Sequence, residues 1–148
     1  MTMTDVRPPE PEANPAPDQI RELLATAKTI AVIGISEKAG RPSLDVGRYL
    51  AGRGYTIYPV NPQLSAWEGR FAYASLHDIP GPVDIVDIFR KPGSIGELVP
   101  EIIAKRPRAA WLQLGIVNNE AAAELRAAGI AVVQDRCIKI DHYTLLGG

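Results

Sequence analysis

The chain has few of the residues on which the more specialised classes of small protein depend. Its 148 residues include one cysteine, Cys137, and two histidines, His77 and His142. A single cysteine excludes an internal disulfide framework, and no spacing of cysteine and histidine matches a metal site. No segment approaches the roughly 18 to 20 apolar residues of a membrane span, and the N-terminus lacks the apolar stretch of a signal peptide. We therefore expect a cytoplasmic protein with no membrane partner and no metal.

The chain also lacks an excess of charge of either sign. Sixteen Lys plus Arg residues stand against seventeen Asp plus Glu, a formal net charge of -1. A chain so balanced has no global field that attracts nucleic acid, so we expect no nucleic-acid partner. Any anionic ligand must be held by local geometry. With 46% hydrophobic and 22% charged residues, the composition is that of an ordinary globular domain.

The density of proline distinguishes an N-terminal tail from the rest of the chain, which we interpret as one domain. Five of the first 17 residues are proline, and large apolar side chains are almost absent there. Such a segment cannot bury enough surface to offset its ordering entropy, so we predict a disordered tail over 1–17 and a folded domain over 18–148. Short apolar runs predict five strands, at 29–35, 56–60, 83–89, 109–114 and 130–134. Helical patterns cover 18–27, 43–53, 94–104 and 118–128, and 135–141 forms a short closing segment.

This alternation of strands and helices predicts an α/β fold. Short links between the elements favour a doubly wound, mainly parallel five-stranded sheet with helices on both faces. Ligands of such sheets bind at the carboxyl ends of the strands, around the point where the strand order reverses. The loops that follow the five strands are therefore where we look for a site.

The loop after the first strand has features of a phosphate site. Gly34 at the strand end lets a phosphate approach the backbone, and Ser43 is a candidate cap for a helix whose first N–H groups are free. Lys38 and Arg41 add two cations between them. The alternative is a plain turn between strand and helix whose charges are solvated.

The same loop departs from the dinucleotide-binding fingerprint. That fingerprint needs a second glycine and an acidic residue at the end of the second strand, which accepts from a ribose hydroxyl. Here Ser36 occupies the position of the second glycine, and Asn61-Pro62 follows at the end of the second strand. A neutral Asn61 would not repel a phosphorylated ribose, although Asn-Pro is also a common turn initiator.

The remaining loops offer further ligand-type residues, each with a structural alternative. Phe89, Arg90 and Lys91 place two cations beside an aromatic ring, which suits an adenine and a phosphate or else a solvated strand end. Gln113 has an amide that can meet a ligand amide or satisfy neighbouring backbone. Cys137 can meet a ligand thiol or serve as a small buried hydrophobe.

Taken in register, five motifs resemble those of the small stand-alone CoA-binding proteins, which are related to the N-terminal domain of succinyl-CoA synthetase alpha subunits. The resemblance runs from about Ile20 to Asp141. The motifs are Gly34-Ile35-Ser36 with Arg41-Pro42-Ser43, Tyr55 with Pro59-Val60-Asn61-Pro62, Val86-Asp87-Ile88-Phe89-Arg90-Lys91-Pro92, Trp111-Leu112-Gln113-Leu114-Gly115, and Gln134-Asp135-Arg136-Cys137.

The resemblance implies a Rossmann-like domain that binds coenzyme A. Its diphosphate would lie over 34–43, its adenosine near Asn61-Pro62 and Phe89-Arg90, and its pantetheine along Leu112 to Gly115. The implied site residues are Gly34, Ile35, Ser36, Lys38, Arg41, Ser43, Asn61, Pro62, Phe89, Arg90, Lys91, Leu112, Gln113, Gly115, Arg136 and Cys137.

The synthetase reaction also depends on a second domain with a phosphorylated histidine, and we find no such motif around His142. Neither histidine lies beside a nucleophile, so we assign no catalytic residue. The leading hypothesis is a stand-alone protein that binds CoA or acyl-CoA without a reaction of its own. The alternatives are an NAD(P)-dependent or other nucleotide-dependent enzyme, and a docking module that supplies a CoA site to a ligase-like protein partner.

Overall fold

The computed structural model of the protein describes residues 11 and 13–147. Helices α1 to α5 cover Pro17–Thr26, Pro42–Gly52, Ile95–Lys105, Asn119–Ala127 and Ile138–Leu146. Strands β1 to β7 cover Thr29–Ile33, Thr56–Val60, Ala66–Trp67, Arg70–Phe71, Ile85–Ile88, Ala109–Leu112 and Ala131–Val133. Short 3-10 turns lie at Leu76–Asp78 and Pro92–Ser94.

Five strands form one parallel sheet in the order β2-β1-β5-β6-β7. In β1, Ile30, Ala31 and Val32 are each 0% exposed, as expected for a strand that is covered on both faces. Helices α1, α2 and α5 cover one face, and α3 and α4 cover the other. The predicted Rossmann-like α/β fold is therefore confirmed.

The strand order reverses between β1 and β5. From β1 the chain passes through α2 to β2 on one side, whereas β5 pairs with β1 on the other side. The loops that leave the carboxyl ends of β1 and β5 therefore diverge, which opens a crevice between them.

The predicted elements needed three corrections. A two-stranded antiparallel hairpin, β3–β4, lies between the second and third predicted strands, where we predicted no strand. The closing segment is the helix α5. Ser43 does not cap α2, because the N-cap position belongs to Arg41 and Ser43 lies inside the helix. By contrast, Asn118 does cap α4, since its side chain accepts a hydrogen bond from the Ala121 N–H at 3.0 Å.

The N-terminal boundary of the domain also differs from the prediction. The Asn14 side chain donates to the Gln134 carbonyl at 2.9 Å and accepts from the Gln134 N–H at 2.8 Å. It thereby satisfies the backbone just beyond the edge strand β7, and α1 already begins at Pro17. The folded part thus begins at or before Asn14 rather than at residue 18. The rest of the predicted tail, residues 1–10 and 12, lies outside the described residues.

Candidate functional site

Two adjoining cavities open at the carboxyl ends of β1 and β2. The larger has a volume of about 430 Å³ and lies between the ends of β1, β2 and β5 and the helix α3. The smaller has a volume of about 280 Å³ and lies under the loop that joins β1 to α2. Gly34, Asn61 and Gln63 line both, so the two cavities form one groove. Its size is within the range of small-molecule sites.

Gly34, just after β1, lies against the backbone just after β5. Its φ is +82°, and a Cβ atom there would lie 2.4 Å from the Phe89 carbonyl oxygen. Any side chain would therefore be both strained and in collision with backbone. We had expected this glycine to admit a phosphate, but the structure shows that the approach of β5 requires it.

The loop after Gly34 is held in shape by its own serines. The Ser43 hydroxyl accepts a hydrogen bond from the Ser36 N–H at 2.9 Å, and the Ser36 hydroxyl accepts from the Lys38 N–H at 3.0 Å. Lys38 and Arg41 are exposed at the smaller cavity, and neither forms an ion pair with another described residue. The smaller cavity is therefore preformed and has two available cations beside it.

Asn61 and Trp67 fix the same loop from the side of β2. Asn61 donates from Nδ2 to the Ile35 carbonyl at 2.8 Å, and its Oδ1 accepts from the Gln63 N–H at 2.8 Å. The Trp67 indole N–H donates to the Ser36 carbonyl at 2.9 Å. Asn61 therefore initiates a turn and holds the loop, although it also lines both cavities. The Ile35 side chain is fully buried, so only its backbone belongs to the site.

Sequence reasoning missed the contribution of Trp67 because it missed the hairpin. Trp67 is 1% exposed and packs on α2, where a Cβ atom on Gly47 would lie 2.9 Å from its ring. The turn that follows has two residues with positive φ, Glu68 at 48° and Gly69 at 78°. A glycine preceded by a polar residue between two short strands is the signal of such a hairpin turn, and it was present in the sequence.

The end of β5 contributes to the larger cavity. Phe89 is half-buried and Arg90 is exposed, and both line it together with Pro62 from the end of β2. Arg90 has no ion-pair partner within the described part of the chain. Lys91 is exposed but lines neither cavity. The groove thus joins two cations at the smaller cavity to a third at the larger one.

The predicted residues after β6 lie apart from both cavities. Leu112 is fully buried, and Gln113 is 4% exposed. The amide oxygen of Gln113 accepts a hydrogen bond from the Ile138 N–H at 3.2 Å, so this side chain satisfies the backbone at the start of α5. Gly115 is exposed, and its N–H donates to the Asp135 carboxylate at 2.7 Å.

The residues after β7 are also engaged in internal contacts. Arg136 donates to both carboxylate oxygens of Asp141, at 2.6 and 2.8 Å, and this hydrogen bonding raises the pKa of Arg136. The Arg136 carbonyl accepts from the Trp111 indole at 2.7 Å. Cys137 is half-buried at the N-cap position of α5. The structure therefore does not bring Arg136 or Cys137 to the groove.

A buried carboxyl group lies in β5, beneath the crevice. Asp87 is 0% exposed, and neither of its oxygens has a hydrogen-bond partner among the described residues. Its sheet neighbours are Val32 and Trp111, which offer no compensating charge. Burial raises the pKa of Asp87 well above its ordinary value, which favours the protonated, neutral form of this carboxyl in the folded protein.

Residues 11 and 13–147 contain neither a metal-binding cluster nor a membrane-spanning helix. No group of three or more His, Cys, Asp or Glu side chains in that part of the chain is placed to hold a metal ion. None of the helices over those residues has the length and apolar character needed to cross a membrane.

A parallel sheet whose reversal point opens into a groove lined by cations defines a Rossmann-like domain of the ligand-binding class. Within that class, residues 28–143 match the family model described as CoA binding domain, and the chain belongs to this family. The expected family resemblance is thereby confirmed.

The chain is also similar to individual proteins, both small ones of its own length and one much longer ligase. The uncharacterized protein YneT of Bacillus subtilis is 38% identical over 129 residues, which cover 87% of this chain and 96% of YneT. The solved structure of cell-free ID.343 from Thermus thermophilus is 44% identical, with a TM-score of 0.84 over 88% of this chain and 98% of that chain. The acetate–CoA ligase [ADP-forming] II of Archaeoglobus fulgidus is 38% identical over 80 residues, 53% of this chain but 11% of the ligase.

Proposed function

We propose that this protein binds coenzyme A in the groove at the carboxyl ends of β1, β2 and β5. The observation that carries the proposal is the set of three exposed cations, Lys38, Arg41 and Arg90, which border one preformed groove and have no ion-pair partner among the described residues. Coenzyme A carries a diphosphate and a ribose phosphate joined to an adenine. Its charges therefore match the distribution of the cations.

The smaller cavity is the proposed diphosphate site. Lys38 and Arg41 border it, and the first turn of α2 begins at Pro42 beside it. Backbone N–H groups at a helix N-terminus favour an anion, and hydrogen bonds to a charged oxygen contribute about 1.5 to 3 kcal/mol each. These hydrogen bonds outweigh the helix dipole, which contributes roughly 0.3 to 1 kcal/mol.

The larger cavity is the proposed adenosine site. Val60, Pro62 and Phe89 offer apolar surface for a base, and Arg90 offers a cation for the ribose phosphate. The pantetheine would leave the groove past the exposed segment at Leu114 and Gly115. Because Leu112 and Gln113 are buried, we assign them a structural role rather than a ligand contact. The proposal assigns the protein a binding function and no catalytic step.

The alternative of a dinucleotide cofactor has less support. An acidic residue at the end of β2 would be needed to accept from the ribose hydroxyl, and Asn61 stands there with both ends of its amide bonded to backbone. Isothermal titration of the protein with coenzyme A, NAD and NADP separates the two functions. We expect binding of coenzyme A alone, and NAD binding without coenzyme A binding would overturn the proposal.

A matched pair of variants tests the position of the site. Lys38 borders the smaller cavity, whereas Lys28 is exposed at the amino edge of the sheet. Lys38→Ala should weaken coenzyme A binding about tenfold, since one charge-assisted contact is lost. Lys28→Ala removes the same charge and should leave the affinity within about twofold. Equal losses from both variants would show that the charge acts without a defined site.

A further inference from the structure

The larger cavity contains a carboxylate as well as a cation. Glu101 on α3 lines it, and its Oε1 accepts a hydrogen bond from the His77 N–H at 2.9 Å. That bond holds the carboxylate in place. Its other oxygen has no hydrogen-bond or ion-pair partner in the part of the chain that the structure describes. A fixed acceptor is therefore available to whatever occupies the cavity.

A carboxylate is an unexpected lining group for a site that takes a polyanion. The phosphates of the ligand are repelled by Glu101 and attracted by Arg90, so the two side chains must face different parts of it. Apolar side chains from Val60, Leu76 and Leu98 complete the lining, and such surface suits an uncharged base. The group that faces Glu101 should then be a hydrogen-bond donor on that base.

We propose that Glu101 accepts a hydrogen bond from the exocyclic amine of adenine and thereby selects adenine nucleotides. This inference rests on the proposed coenzyme A site and adds a specificity-determining residue to it. A purine with a carbonyl oxygen at that position presents an acceptor to the carboxylate. Two acceptors then face each other, and the carboxylate oxygen stays without a partner.

The test compares coenzyme A with its hypoxanthine analogue, in which the amine is replaced by a carbonyl, by isothermal titration. We expect the protein to bind coenzyme A at least about tenfold more tightly than the analogue. In Glu101→Gln the affinities for the two ligands should come within about twofold of each other. A carboxamide can present either its oxygen or its NH2 group to the base, so it no longer distinguishes a donor from an acceptor at that position.

Glu97→Gln is the matched control, because Glu97 is exposed on the same helix and lines neither cavity. It removes the same charge and should keep the preference for adenine. Equal binding of both ligands by the unmodified protein would overturn the inference and leave coenzyme A binding intact. A preference that persists in Glu101→Gln would overturn it equally. Failure to bind coenzyme A at all would instead remove the proposed function, and this inference with it.

Discussion

At the carboxyl edge of the sheet, the ends of β1, β2 and β5 border the groove, whereas the first residue after β6 and a residue after β7 are hydrogen-bonded to α5. In the first half, which we call the open half, Lys38, Arg41 and Arg90 are exposed without ion pairs to described residues. In the second, the closed half, Gln113 and Arg136 are bonded to α5. Polar and cationic side chains are thus available to a ligand in one half and are bonded to the fold in the other.

The two halves also differ in their buried carboxyl groups. Asp141 in the closed half is 4% exposed, and its carboxylate is paired with Arg136. Asp87 on β5 has no partner among the described residues. A buried acid can avoid its desolvation cost either by pairing or by keeping its proton, and the two residues show these two solutions.

The largest expected effect is the pH dependence of stability that Asp87 imposes. The folded protein keeps this proton at pH values at which the unfolded carboxyl, with a pKa of about 3.9, has released it. Unfolding therefore releases a proton between the two pKa values. The free energy of unfolding should fall by roughly 1.4 kcal/mol per pH unit across that interval. Asp87→Asn should lose this slope in urea denaturation between pH 4 and 8.

Asp84→Asn, just before β5, provides a control, because the stability contribution of Asp84 has the opposite pH dependence. Burial alone would raise the pKa of Asp84, but hydrogen bonds from the Lys28 and Thr29 N–H groups prevail and lower it. Its contribution is therefore present above the unfolded pKa and lost as the pH falls through the folded one. Identical pH profiles for Asp87→Asn and the unmodified protein would mean that the Asp87 carboxyl has a compensating partner.

A smaller effect is expected from alanine at two glycines, one in each half. Gly34 and Gly115 have φ of +82° and +86°, so alanine is strained at both. Only at Gly34 does the new Cβ collide with backbone, since nothing lies within 4 Å of it at Gly115. We expect Gly34→Ala to lower the free energy of unfolding by about 2 to 4 kcal/mol and Gly115→Ala by about 1 to 2. Chemical denaturation of both variants measures the difference, and equal losses would show that the β1–β5 approach relaxes freely.

The sequence predicted the sheet because each strand is marked by an apolar run within its own residues. Apolar runs bounded by turn residues placed all five strands of the main sheet. The rule that ligands bind at carboxyl ends selected the loops after all five strands, and those of the open half border the groove. Gly34, Lys38, Arg41 and Arg90 were found in this way, and the structure brings all four to one groove.

The patterns failed where a side chain's role depends on its partner. Gln113 and Arg136 look like ligand residues until α5 is in place, because only the tertiary structure brings the Ile138 N–H and Asp141 to them. Helix α5 was missed because both of its faces carry apolar residues: Ile138 is buried, yet Ile140 and Tyr143 are 57% and 65% exposed. Glu101 lies inside an amphipathic helix with nothing in its local sequence to separate it from a solvated acid.

The smallest expected effects come from replacing one arginine in each half with alanine. Arg90→Ala removes an exposed cation from the groove and should weaken coenzyme A binding about tenfold, with little change in the free energy of unfolding. Arg136→Ala should do the reverse: it leaves the buried Asp141 carboxylate without its partner, so stability falls by about 1 to 3 kcal/mol while affinity stays within about twofold. Titration and denaturation of both variants measure the four quantities. If Arg136→Ala weakened binding as much as Arg90→Ala does, the ligand would extend beyond Gly115 to the residues after β7, and Arg136 would belong to the site.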